Sequence, residues 1–156
     1  VIPIALVRQN AGVTTMPAQE ARAWALEACQ SQPSERSPGQ DDVRTMSVVA
    51  SAVCWYRGLE NPGGKPLGLS GAGALMPPSI TELQQLLVDA ERDSPTCSMI
   101  DSPPQVKYHV YLRDSEGQDW RIDVPVPSCL GFEMNDGRYL SAPLVDWLKD
   151  VFTLSP

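Results

Sequence analysis

A chain of 156 residues with 42% hydrophobic and 20% charged side chains can close one packed domain, which excludes a globally disordered protein. Its formal net charge of -7, with the basic residues scattered singly, excludes a nucleic-acid backbone or an anionic membrane surface as the main partner, because both are recognised by basic patches. The longest apolar run, from Val48 to Tyr56, is broken by Ser51 and falls far short of the ~20 residues that cross a bilayer.

The first residue is Val1 rather than methionine, which reads as a processed or trimmed amino terminus. The opening "VIPIALV" suits an edge strand or the remainder of a removed export segment. A helix is predicted from Met16 to Gln30, with Pro17 in its first turn and Glu20 near its positive end. Ala21, Trp24, Ala25 and Ala28 fall on one face at helical spacing. The polar "SQPSERSPGQDD" that follows reads as a surface loop. It divides the chain into an amino-terminal extension, residues 1–40, docked on a main domain, residues 41–156.

"RTMSVVASAVCWYR" is rich in β-branched and aromatic residues and is predicted as a strand, bulged at Ala50–Ala52. The Gly- and Pro-rich stretch Gly58 to Pro78 is predicted to be mostly loop. "SITELQQLLVDAERD" is predicted as a helix capped by a Ser79–Glu82 box, burying Ile80, Leu83, Leu86, Leu87 and Ala90. "VKYHVYLR" and "QDWRIDVPV" both alternate, and "DSEG" between them makes a hairpin. Val106, Tyr108, Val110 and Leu112 share one face with Trp120, Ile122, Val124 and Val126. "CLGFEM" and "RYLSA" make a second hairpin around Asp136–Gly137. "PLVDWLKDVF" closes the chain as a helix, with Leu144, Val145, Leu148 and Val151 facing inward. The expected fold is α+β: a small antiparallel sheet of two hairpins plus one strand, packed by two or three helices.

The cysteines are Cys29, Cys54, Cys97 and Cys129. No C-x-x-C pair is present and the lone histidine, His109, is remote from all of them, which is a poor pattern for zinc. A catalytic thiol would need a base, and His109 is the only histidine to supply one. An even number of cysteines in a loop-rich acidic chain favours disulfides and an oxidising compartment. The antiparallel hairpin brings its outer ends together, and so brings Cys97 near Cys129. Four cysteines allow three connectivities, among which sequence alone does not choose; with Cys97 and Cys129 joined, Cys29 is left to pair with Cys54 by exclusion. A buried free thiol at Cys54 is the alternative.

From Ser47 onward the order of motifs carries a resemblance. A strand ends in "VCWYRG", a "LGLSG" loop and a Leu-rich helix of the "LxxLL" kind follow, and a "PxC" leads into "VYLRDSEGQDWRIDVPVPSC" and a "DGRY" turn before a short helix. This resembles the small exported or lipid-anchored domains of unknown function common in actinobacteria. The resemblance covers about two thirds of the chain and leaves out the part that holds Cys29. It implies export and a small α+β fold, with a lipid anchor on the unprocessed form as a further option. It supplies no activity and no catalytic residues.

Other patterns explain themselves as structure. Gly64–Lys65 is followed by Pro66 where a phosphate loop needs a hydroxyl. Asp114, Glu116, Asp119 and Asp123 lack the offsets of a calcium loop, and Asp119 and Asp123 are expected on the solvent face of their strand. Ser70 and Ser79 lack a nucleophile elbow. His109, Tyr111, Arg113 and Arg121 share the predicted outer face of the hairpin and make the best candidate binding surface. The expectation is an exported, non-enzymatic binding or structural module at the cell envelope or outside the cell. It has a protein partner, no nucleic acid, and no cofactor or metal. The rivals are a secreted inhibitor or ligand-sensing domain using Gly58–Pro78, and a hydrolase using His109 with an acidic partner.

Overall fold

The computed structural model describes residues 16–57, 68–92, 106–126 and 131–153. The fold is α+β. The helices are α1 (Ala18–Ser31), α2 (Gln40–Thr45), α3 (Pro77–Asp89) and α4 (Ala142–Thr153). They pack on two antiparallel sheets. The larger sheet is ordered β2 (Leu69–Ala74), β1 (Val48–Arg57), β4 (Val106–Asp114), β5 (Asp119–Val126). The smaller is ordered β3 (Glu91–Arg92), β7 (Gly137–Leu140), β6 (Gly131–Met134).

The β4–β5 hairpin forms where alternation predicts it. Leu112 pairs with Trp120, Val110 with Ile122, Tyr108 with Val124 and Val106 with Val126, so the apolar rows align on one face. The turn is closed by Asp114, whose Oδ1 accepts from the backbone N–H groups of Glu116 and Gln118, both at 2.9 Å. Gly117 supplies the φ of +84° that the turn requires. Asp114 Oδ2 also accepts from Trp120 Nε1 at 3.1 Å. Burial of the Asp114 carboxyl opposes its ionisation, but these donors outweigh it and hold the pKa below the usual value.

β1 lies at the centre of the large sheet and faces two ways. Ala52, Cys54 and Tyr56 pack toward α1. Val53 packs into the main core with Leu83, Leu87, Val110, Ile122, Leu144 and Leu148. Val48 joins that same core despite its even number, because the register against β4 shifts between Val48 and Ala50. The bulge therefore sits at Val49, just before the expected Ala50–Ala52. It reverses which parity faces which layer.

Helices α2 and α3 cap one another. The Gln40 side-chain amide donates to the Leu87, Val88 and Ala90 carbonyls at the end of α3, at 2.9–3.2 Å. Gln84 of α3 donates in turn to the Val43 and Met46 carbonyls at the end of α2, at 2.7 and 2.9 Å. These amides satisfy carbonyls that a helix end leaves without partners. Residues 38–40 also reach the β6–β7 turn, through Asn135 N–H to the Pro38 carbonyl and Gln40 N–H to Asp136. Gln40, at the proposed boundary, is thus bonded to two other elements.

Several expectations need correction. Ser79 does not cap α3: the helix begins three residues earlier than that cap implies, with Pro77 and Pro78 at its first positions and Met76 as an N-cap that makes no side-chain bond. Ser141 does cap α4, accepting from Leu144 N–H at 3.1 Å. Part of Gly58–Pro78 is strand, because β2 pairs along β1 from Tyr56 to Ala52. The second hairpin forms from β6 and β7, but it joins Glu91–Arg92 in a separate sheet and does not extend the first. Asp119 and Asp123 are not free solvent-face residues, since each is paired with an arginine. Residues 58–67, Cys97 and Cys129 lie outside the described residues.

The cap assignment can be checked directly. Ser141→Ala should lower stability by about 1 kcal/mol in urea unfolding, and Ser79→Ala should stay within about 0.5 kcal/mol. Equal losses would put the α3 start back at Ser79.

Candidate functional site

Antiparallel pairing arranges the α1-facing side of the large sheet in cross-strand rows. Cys54 pairs with His109, and His109 with Asp123. Ala52 pairs with Tyr111, and Tyr111 with Arg121. Ala50 pairs with Arg113, and Arg113 with Asp119. Period-two side-chain direction puts all of these on one face. The face is the chemically richest part of the described chain.

Helix α1 covers it. Ala21, Ala25, Ala28 and Cys29 are its buried residues. Cys29 and Cys54 form a disulfide, and both residues are fully buried. Tyr56 Oη donates to the Cys29 carbonyl at 2.6 Å, near the end of the helix. Beyond α1 the chain crosses the same face. The Pro33 carbonyl accepts from Tyr111 Oη at 3.3 Å and from Arg121 Nη1 at 3.1 Å. Arg121 N–H donates to the Arg36 carbonyl at 3.0 Å. The Arg36 guanidinium lies 5.3 Å from the centre of the Trp120 ring.

Each charged group here has a named counterpart. Arg121 grips Asp123 with two hydrogen bonds of 2.7 and 2.8 Å. Arg113 grips Asp119 in the same way at 2.7 and 2.9 Å, and its guanidinium lies 5.0 Å from the Trp24 ring. His109 Nε2 lies 3.5 Å from Asp123 Oδ1, and its ring is 4.7 Å from that of Tyr56. Such planar, two-point pairing is the strong form of an arginine–carboxylate contact.

Electrostatics follow the geometry. Burial of the Asp123 carboxyl opposes its charge, but the hydrogen bonds from Arg121 and the charges of His109 and Arg121 prevail and lower its pKa. The hydrogen bond to Asp123 and its charge raise Arg121, against the effect of burial. Burial pushes the Tyr111 phenol up to about 12, against the opposing charge of Arg121. Burial, with the Tyr111 phenol adding to it, raises Tyr56 still further. Both phenols stay neutral at physiological pH and donate to carbonyls.

The proposed binding strip is therefore covered. His109 and Tyr111 are 0% and 1% exposed, and Arg113 and Arg121 are only partly open. Two readings of the sequence exclude one another here. A helix tethered to Cys54 must land on the face that carries His109, because Cys54 and His109 are register partners. Sequence reasoning placed the four strip residues on one face correctly, but missed Tyr56, Asp123 and the Pro33 carbonyl as their counterparts. The parity of Asp123 with His109 was the available signal.

Among the described residues no helix is long and apolar enough to cross a membrane, and no cluster of three or more His, Cys, Asp or Glu residues has metal-binding geometry. Comparison with family models, curated proteins and solved structures finds no match.

Two measurements test this arrangement. Replacing Cys29 and Cys54 together by alanine should lower unfolding free energy by about 3.5 kcal/mol, the loop-entropy value for a separation of 25 residues. Asp123 has a folded pKa below its ordinary 3.8, so its stabilisation is complete above that value and is lost as pH falls through the folded one. The stability gap between the wild type and Asp123→Asn should be constant near neutrality and shrink as pH drops below 3.8. A gap that widens in acid would mean the pair is not formed.

Proposed function

We propose that this chain is an exported, non-enzymatic binding or structural module that works at the cell envelope or outside the cell in a protein complex. The observation that carries the reading is the buried Cys29–Cys54 disulfide, which closes α1 over the His109–Asp123 row. A structural disulfide is at home in an oxidising compartment. Here it also draws the most reactive side chains of the described chain into holding the amino-terminal helix and the segment after it. Tyr56, Tyr111 and Arg121 all donate to backbone carbonyls between Cys29 and Arg36. The resemblance of the segment from Ser47 onward to exported actinobacterial domains supports the same compartment.

One observation favours a second reading. His109 Nε2 and Asp123 Oδ1 stand 3.5 Å apart, an ion-pair distance from which a small shift would let the carboxylate orient the imidazole as a base. A hydrolase built on them would have to lift α1, since His109 is fully buried. Cys54, the neighbouring nucleophile in the row, is held in the disulfide.

The compartment is tested on protein purified from its native source. Alkylation under denaturing, non-reducing conditions should leave Cys29 and Cys54 unlabelled, and peptide mapping should recover them linked. Free thiols at both positions would remove the argument for export. The second reading predicts a measurable turnover that His109→Ala abolishes without unfolding the chain.

A further inference from the structure

The large sheet has two edges, and they differ. The β5 edge carries the devices by which proteins block strand addition. Pro125 lacks an N–H, Asp119, Arg121 and Asp123 bring charge, and Arg36 bridges to Trp120 in parallel fashion. The β2 edge carries none of these. From Gly68 to Pro78 the sequence is GLSGAGALMPP, without a charged side chain, in a chain of net charge -7. Among the described residues no strand pairs with the outer side of β2.

The backbone there is oriented for a partner. Leu75 donates its N–H to the Ser51 carbonyl at 2.9 Å. Antiparallel ladders alternate, so Gly73 and Gly71 also turn toward β1, and the N–H and C=O groups of Ala72 and Ala74 point outward. The side chains leave room on the main-core face. A Cβ on Gly73 would meet nothing within 4 Å, and Gly71 lies beside Trp55. Apolar side chains frame the edge. Leu69 begins β2 at 38% exposed, and Met76, two residues beyond its end, is 40% exposed. Leu26 of α1 is 49% exposed. Two of the three large apolar side chains left exposed among the described residues, Leu69 and Met76, flank this one strand.

We propose that β2 is a docking edge that takes an extended, uncharged, apolar segment of a partner protein as a fifth strand. The inference rests on the binding-module reading and names its surface. Backbone groups that no described strand pairs select an extended chain, since only another strand matches their spacing. The uncharged edge selects against charged side chains on the incoming segment. A second copy of this chain is disfavoured as the occupant, because two bodies of charge -7 would be brought together over one short strand.

The probe is a displayed library of random eight-residue peptides, selected on the full chain and followed by affinity measurement with the recovered peptides. The expected winners are uncharged and β-forming, and their binding slows hydrogen exchange at the Ala72 and Ala74 amides. Gly73→Lys, which fits the open space, and Ala72→Pro, which deletes an outward donor, should each weaken binding about ten-fold or more. Arg36→Ser, on the opposite edge, should leave it unchanged. If Ala72→Pro does not fold, Gly73→Lys decides alone. The proposal is overturned if no peptide is recovered, if recovered peptides ignore the β2 substitutions, or if Ala72 and Ala74 are already protected in the free chain. Peptides or partners that bind elsewhere would sink the edge and keep the binding module. A turnover that depends on His109 would sink the module reading whatever the edge does.

Discussion

The bond between Cys29 and Cys54 decides that the second face of the central sheet is covered by a helix and does not meet water. The interface that it closes is built largely from alanines, with Ala25 and Ala28 of α1 against Ala52 and Ala74. Small side chains let helix and sheet approach closely but bury little apolar area, and hydrophobic stabilisation scales with that area. A helix docked on such contacts alone would be held weakly. The covalent link keeps Cys29 and Cys54 together even in the unfolded chain, which lowers that chain's entropy and so adds stability that the contacts do not supply.

With the helix held there, the polar rows beneath it have to be satisfied internally, because a buried polar group without a partner is costly. The pattern is economical. Two arginines grip two aspartates, and two phenols donate to carbonyls at Cys29 and Pro33. The network adds direction that alanine packing lacks. An alanine surface tolerates sliding, whereas a bidentate arginine and a phenol aimed at one carbonyl do not. Opposite this layer, the other face of the sheet packs the main core of α2, α3, α4 and the small sheet, where large aliphatic and aromatic side chains dominate. One side of β1 is thus held by area and the other by bonds. The Val49 bulge is where the strand sorts its residues between them.

The hairpin of β4 and β5 and the stripes of α1, α3 and α4 were legible because their signals are local. Strict alternation or helical spacing over eight or more residues specifies a face without reference to the rest of the chain. β2 was not legible. "LSGAGA" has weak intrinsic strand preference and becomes a strand because β1 offers it an edge. The start of α3 was misread because Ser79 and Glu82 imitate a cap, while Pro77 can begin a helix at no hydrogen-bonding cost. The reciprocal capping by Gln40 and Gln84 joins residues far apart in sequence, and no local pattern announces it.

The amino-acid sequence by itself determined an acidic α+β domain, the parity of each residue along β4 and β5, and a set of cysteines suited to an oxidising compartment. Parity says which residues share a face, but it cannot say what covers that face. His109, Tyr111, Arg113 and Arg121 share one in the sequence and in the structure alike. Whether that face meets water or a helix depended on a contact between Cys29 and Cys54, 25 residues apart, and on a proline carbonyl with no sequence signature. The same holds for the edges of the sheet. Composition marks Gly68 to Pro78 as uncharged, but only strand order makes it an edge. Side-chain direction is a property of consecutive residues, whereas burial is a property of whatever the folded chain brings alongside them.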